Sequence, residues 1–308
     1  MSLERPVLST RAAWMRQRER GSARSMRYMA WLSLRAGRRA SRALVYVIVA
    51  YFFLFGPRVR RHSLDYLARA LGRAPGPLDR FRQLLYFSSC THDRIFLLND
   101  QFDRYELTLE GESVMRERLA SGRGAILLGA HMGSFEVMRS VGRRHSLEVS
   151  LAMYEQNARN IAALFATLAP ARVPEIIQLG RLEAMLEIRE RIERGAFVGV
   201  LGDRTLGAEP VQPVEFLGAR AALPSGPMRA AALLRCPVIF MLGLYRGANR
   251  YHVVFAPLAD FSDVGPAARE EAVGAAVARY AGLLERYCRS DPYNWFNFFD
   301  FWDARGTA

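Results

Sequence analysis

From Tyr105 onward the chain alternates short, almost purely apolar runs with longer stretches of helical periodicity, and no other feature restricts the fold as strongly. Ala125–Ala130 (AILLGA), Phe197–Leu201 (FVGVL) and Pro237–Tyr245 (PVIFMLGLY) carry no polar alternation and read as buried strands. Glu148–Tyr154, Glu175–Leu179 and Tyr251–Ala256 read as further strands. Helical spacing occupies Phe135–Arg144, Asn157–Leu168, Arg181–Arg194 (stopped by Gly195), Pro227–Arg235 and Pro266–Arg289. Strands alternating with helices at this spacing predict an α/β domain with a mainly parallel central sheet flanked by helices. Ligand sites in such sheets lie beyond the carboxyl ends of the strands, which selects the loops after Ala130, Leu179 and Leu201.

The charge divides the chain in two. All 43 basic residues are arginine; residues 1–61 carry 14 of them against only Glu4 and Glu19, whereas the rest of the chain is nearly balanced. We therefore expect a basic N-terminal helical, membrane-associated segment over 1–61 and a catalytic α/β body over 62–308. Within the head, Ala43–Phe55 (ALVYVIVAYFFLF) has no charge and is flanked by Arg35, Arg38, Arg39 and Arg42 on one side and Arg58, Arg60 and Arg61 on the other. As a helix its 13 residues reach about 20 Å, short of the roughly 30 Å of a bilayer core. A segment that dips into one leaflet with its arginines on anionic headgroups fits best. A core helix with a solvated basic rim is the alternative. A nucleic-acid arm would interleave charge with aromatics, so no nucleic-acid partner is expected. His62–Leu98 is helical, broken at Ala74–Pro77. Cys90, Cys236 and Cys288 are odd in number, far apart and without metal-ligand spacing, which suggests a reducing compartment.

The loop after Ala130 reads His131-Met132-Gly133-Ser134-Phe135-Glu136. A histidine leaving a buried strand, five residues before a carboxylate at a helix start, suggests a general base. His131 on the turn and Glu136 in the first helical turn can meet if Gly133 supplies the bend, and Glu136 would then hold one imidazole tautomer. A structural histidine is the alternative. GxSxG, HExxH, GxxxxGK[ST] and GxGxxG are all missing, so a hydrolase serine, zinc and nucleotide phosphates have no support, and no metal or cofactor is expected. After Leu201, Gly202–Gly207 sets the charged pair Asp203-Arg204 among glycines, as a binding loop does; a surface turn is the alternative. Phe216-Leu217-Gly218 reads as an apolar lip, and Leu223–Pro227 as a turn into a helix N-terminus that favours anions. Pro292–Trp302 (PYNWFNFFDFW) is either a tail packed over the sheet or a second interfacial anchor, part of an acyl groove.

Taken in order, the basic apolar segment, strand–HMGSFE, the helix begun by GR, strand–GDRTLG, EFLG and LPSGP resemble the lysophospholipid acyltransferase superfamily. The resemblance is to its branch of bacterial lipid A late acyltransferases (lauroyl and myristoyl transferases), over about residues 30–290. It implies that His131 and Glu136 are the catalytic HX4E pair. It also implies that Gly133, Arg181, Asp203 and Arg204 serve substrate binding, with Arg181 matching a basic and Asp203 an acidic family position. The implied reaction moves a fatty acyl chain from acyl carrier protein or acyl-CoA to a lipid or glycolipid hydroxyl, at the cytoplasmic face of a bacterial inner membrane. The GDR loop departs from the Pro-Asp-x-Asp-type loop of lipid A enzymes, and the aromatic ending resembles acyltransferases of aryl-polyene and other specialised lipid pathways. A lipid or thioester hydrolase on the same dyad and a non-catalytic membrane scaffold are the competing readings.

Overall fold

The computed structural model describes residues 23–144, 147–169, 175–205, 209–299 and 301–302. The first 22 residues of the basic head, and Leu206 and Gly207 of the GDRTLG loop, lie outside them. Seven strands form one sheet: β1 (Glu106–Glu110), β2 (Ile126–Gly129), β3 (Val149–Tyr154), β4 (Ile176–Leu179), β5 (Phe197–Leu201), β8 (Pro237–Tyr245) and β9 (Arg250–Asp260). Their spatial order is β1-β9-β8-β2-β5-β3-β4, parallel throughout except where β8 meets β9. The mainly parallel α/β sheet is thus as expected.

Side-chain alternation builds a separate core on each face of the sheet. Ile126, Leu128, Val198, Phe240 and Leu242 point to the face covered by α7 (Leu182–Glu193), α8 (Gly226–Leu234) and α9 (Arg269–Ser290). Leu127, Phe197, Ile239, Met241 and Val253 point to the other, under α3 (Pro77–Leu98), α4 (Glu112–Ala120), α5 (Phe135–Arg144) and α6 (Glu155–Leu168). Because every central strand is covered twice, β8 is buried along its whole length.

The stretch expected to be an apolar lip is instead a separate two-stranded hairpin, β6 (Val211–Phe216) and β7 (Ala219–Pro224). Leu217 and Gly218 turn it with φ of 52° and 76°, the left-handed pair of a tight hairpin. Pro213 within β6 and a leucine at the turn hide the usual strand and turn signals.

The apolar run 43–55 is the second half of a longer helix, α1 (Ala23–Phe55), kinked at Gly37. No helix among the described residues is long and apolar enough to cross a membrane. One stripe of α1 (Ala30, Ser33, Arg38, Ser41, Val45 and Val49) is buried, and the helix packs on α3. Arg38 donates two hydrogen bonds, of 2.7 and 2.8 Å, to the buried Asp93 carboxylate, and Ser41 Oγ lies 2.9 Å from His92 Nε2. Arg42 donates to the Tyr245 hydroxyl and to the Ala248 carbonyl. Two of the arginines expected on lipid headgroups therefore face the protein, because buried acceptors on α3 and on the β8–β9 turn lie opposite them. Arg35 and Arg39 stay exposed, next to the outward Tyr28, Trp31, Tyr46, Val47, Tyr51, Leu54 and Phe55. The division drawn at residue 61 falls inside α2 (Pro57–Leu71).

The C-terminal aromatics pack as a tail. Trp295 is fully buried, its ring 4.8 Å from that of Tyr66 and 5.5 Å from that of Phe216.

Candidate active site

His131 leaves the carboxyl end of β2, between β8 and β5, where chain connections diverge to either side. A crevice at such a point is where open α/β sheets bind ligands. The turn that follows is held on two sides. Gly133 N donates to Asn294 O at 2.9 Å, Ser134 N to Gly243 O at 2.7 Å, and Phe296 N to His131 O at 2.9 Å. Gly133 sits at φ +71°, and a Cβ there would lie 2.0 Å from the Gly243 carbonyl oxygen. Only glycine permits both the left-handed turn and this approach, so the bend expected of Gly133 is present.

Asp203 follows β5 directly and is wholly buried. Its Oδ1 lies 2.8 Å from His131 Nδ1; its Oδ2 accepts from His131 N at 3.1 Å and from Trp295 Nε1 at 2.9 Å. Burial by itself would raise the Asp203 pKa, but His131, Arg204 and Trp295 outweigh it and hold the carboxyl well below the usual carboxylate range. An ionised carboxylate only accepts, so His131 Nδ1 carries the proton and Nε2 is left as the basic nitrogen. Burial also lowers the His131 pKa below 6.5; Asp203 opposes the shift, and Arg204 and Arg94 add to it. With its side chain 35% exposed, His131 is a neutral, oriented base that a substrate can reach.

This corrects the expected pairing. Asp203, assigned to substrate binding from the sequence, occupies the orienting position expected of Glu136. Glu136 sits in the first turn of α5, where it meets Arg94 of α3 (Nε–Oε1 2.5 Å) and accepts from Ser134 Oγ at 3.1 Å. The cause is direction: the first turn of α5 faces α3, while Asp203 arrives on the neighbouring strand level with the His131 backbone.

Arg204 donates to Phe296 O at 2.8 Å and lies over the Phe299 ring, and burial lowers its pKa. It buttresses the tail beside the site. Arg181 stands apart, exposed at the N-cap of α7. It shares the carboxyl edge of the sheet, but β4 is three strands from β2, about 14 Å at the usual strand spacing. Of the three loops selected from the sequence, those after β2 and β5 converge and the one after β4 does not.

Sequence reasoning missed Arg94, Trp295, Asn294 and Gly243. Trp295 had a weak signal in the aromatic ending; Arg94, on a helix 37 residues before His131, had none. Among the described residues no group of His, Cys, Asp and Glu could hold a metal ion, and all three cysteines are buried thiols.

A charge-oriented neutral imidazole at a strand end, with no serine or cysteine hydrogen-bonded to it among the described residues, suits proton removal from a substrate hydroxyl. Comparison with protein families matches residues 94–303, about two thirds of the chain, to the bacterial lipid A biosynthesis acyltransferases. No individual curated protein matches the chain. With two thirds of the sequence matched, the chain belongs to the bacterial lipid A biosynthesis acyltransferase family and is an acyltransferase.

Proposed function

We propose that the protein transfers a fatty acyl chain from an acyl thioester, carried by acyl carrier protein or CoA, to a hydroxyl of a lipid or glycolipid. The observation that carries this reading is the His131–Asp203 contact at the open end of β2. His131 Nε2 takes the proton of the acceptor hydroxyl as its oxygen attacks the thioester carbonyl carbon. The carbonyl electron pair moves onto oxygen. When it returns, the carbon–sulfur bond breaks and the thiolate leaves with the proton from His131. Asp203 fixes the tautomer and stabilises the imidazolium. General-base help of this kind contributes about 10²–10⁴-fold. Arg181, exposed on the same sheet edge, is the candidate for an anionic group on a large acceptor.

The exposed aromatic and aliphatic face of α1, with Arg35 and Arg39 beside it, supports a place on the cytoplasmic leaflet of a bacterial inner membrane. That face lies along a helix anchored to the catalytic body, which would hold the β2 crevice near its lipid acceptor.

Comparative lipid mass spectrometry tests the reading. A strain lacking the protein is complemented with wild type or with His131→Ala at matched membrane levels. One lipid should gain an acyl mass with wild type only. Identical profiles, or release of free fatty acid that no lipid suppresses, would overturn it. The pH dependence offers a second check. A base that must be neutral, with its pKa lowered by burial, makes kcat/KM rise with pH through a midpoint below 6.5 and level off above it. An acid limb centred above 6.5 would contradict this environment.

A further inference from the structure

We infer that Arg94, held by Glu136, is the donor that stabilises the oxyanion formed on the thioester carbonyl, an inference that rests on the transfer reaction proposed above. Attack on the thioester places a full negative charge on oxygen, and a donor must already stand where that charge develops. The backbone amides of the turn are engaged. His131 N donates to Asp203, Met132 N to Ala130 O, Gly133 N to Asn294 O and Ser134 N to Gly243 O. Arg204 is turned toward the tail, on Phe296 O and the Phe299 ring.

Arg94 is arranged differently. Its side chain is 31% exposed, and its Nε stands 2.5 Å from Glu136 Oε1. Glu136 is only 8% exposed, and its other oxygen accepts from Ser134, a residue of the His131 turn. One edge of the guanidinium thus lies in ionic contact with a buried carboxylate that is itself bonded to the turn, while the side chain stays open to solvent. Its positive charge is felt at the imidazole. A planar cation kept near the base by an ion pair to a buried carboxylate has little reorganisation to undergo when the oxyanion forms. This also accounts for Glu136, which Asp203 has displaced as the orienter of His131. Glu136 is a positioning residue that acts through Arg94.

The test measures thiol release from dodecanoyl-CoA and from dodecanoyl–acyl carrier protein by the full chain. A lipid extract from the strain lacking the protein supplies the acceptor, and His131→Ala is run in parallel. Arg94→Gln should lower kcat by about 10²–10³-fold with KM changed less than about threefold, as expected for a group used only in the transition state. Glu136→Gln keeps the cation but loosens it, and should lose about tenfold in kcat. Arg94→Gln/Glu136→Gln should be no worse than Arg94→Gln alone, because the two act as one unit. It also removes any buried, unpaired carboxylate that could unfold the single variant. Loss of the Arg94 charge should move the acid limb of kcat/KM upward, which a packing defect would not do. A folded double variant with kcat within about fivefold of wild type, or a loss confined to KM, would overturn the inference while inactive His131→Ala left the transfer reading intact. Full activity of His131→Ala would instead overturn the transfer reading, and the role of Arg94 with it.

Discussion

Asp203→Asn should reduce kcat by about 10³–10⁴-fold while leaving the fold and the His131 position nearly unchanged, as expected when a buried carboxylate that sets a histidine tautomer becomes an amide. Three N–H groups converge on this side chain: His131 Nδ1–H on one oxygen, His131 N–H and Trp295 Nε1–H on the other. An asparagine has one acceptor and one donor end. If its oxygen keeps the two donors on the Oδ2 side, its NH2 faces His131 Nδ1, and the imidazole must move its proton to Nε2. The atom that should accept the substrate proton then already holds one. The opposite flip points NH2 at two buried N–H donors and is the costlier arrangement. The first flip therefore dominates, and stability changes far less than activity. Steady-state rates, with nitrogen NMR of the histidine ring, check this. If Asp203→Asn kept activity within tenfold of wild type while Glu136→Gln abolished it, Glu136 would be the orienter after all.

Arg38→Met should destabilise the protein by about 3–5 kcal/mol, the usual result of removing one partner of a buried ion pair. Asp93 is completely buried and also accepts from Tyr251 OH at 2.9 Å; without Arg38 its carboxylate faces a desolvated site at the α1–α3 interface. The melting temperature should fall by about 6–20 °C, at the roughly 2–4 °C per kcal/mol of larger domains. Adding Asp93→Asn should restore part of the loss, because the stranded charge goes with it. Vesicle binding should be little changed, since Arg38 faces inward. The opposite pattern, unchanged stability with weakened vesicle binding, would put Arg38 on lipid, as expected from the sequence.

The two variants mark where sequence reading succeeds and where it stops. The strands β2, β5 and β8 and the helices α5 and α7 lie within a few residues of where periodicity put them, because burial of a strand or of one helix face is written in consecutive residues. The hairpin β6–β7 escaped: Pro213 and the Leu217–Gly218 turn lack the local signals of strands and tight turns. In the site, His131 and Gly133 were legible, the first as a histidine leaving an apolar strand and the second as the bend after it. Asp203 was singled out, but not as the partner of His131. The HX4E spacing made Glu136 the nearer partner along the chain, yet the carboxylate that reaches Nδ1 comes from 72 residues away. Arg94 and Trp295 meet the same turn from α3 and from the C-terminal tail.

The sequence by itself determined the α/β class, the strand that ends in His131, the glycine that turns the chain there and the contrast between a basic head and a balanced body. Each of these rests on the order of apolar, polar and glycine residues over a few positions, and hydrophobic burial and backbone sterics act on that scale. The tertiary structure alone decided that Asp203 rather than Glu136 meets His131 Nδ1, that Glu136 meets Arg94, and that Arg38 and Arg42 face the protein. Those outcomes depend on which strands become neighbours and which way a helix turns its first residues. Electrostatic and hydrogen-bond partners are chosen by distance in space, and a sheet ordered β8-β2-β5 sets that distance without regard to separation along the chain.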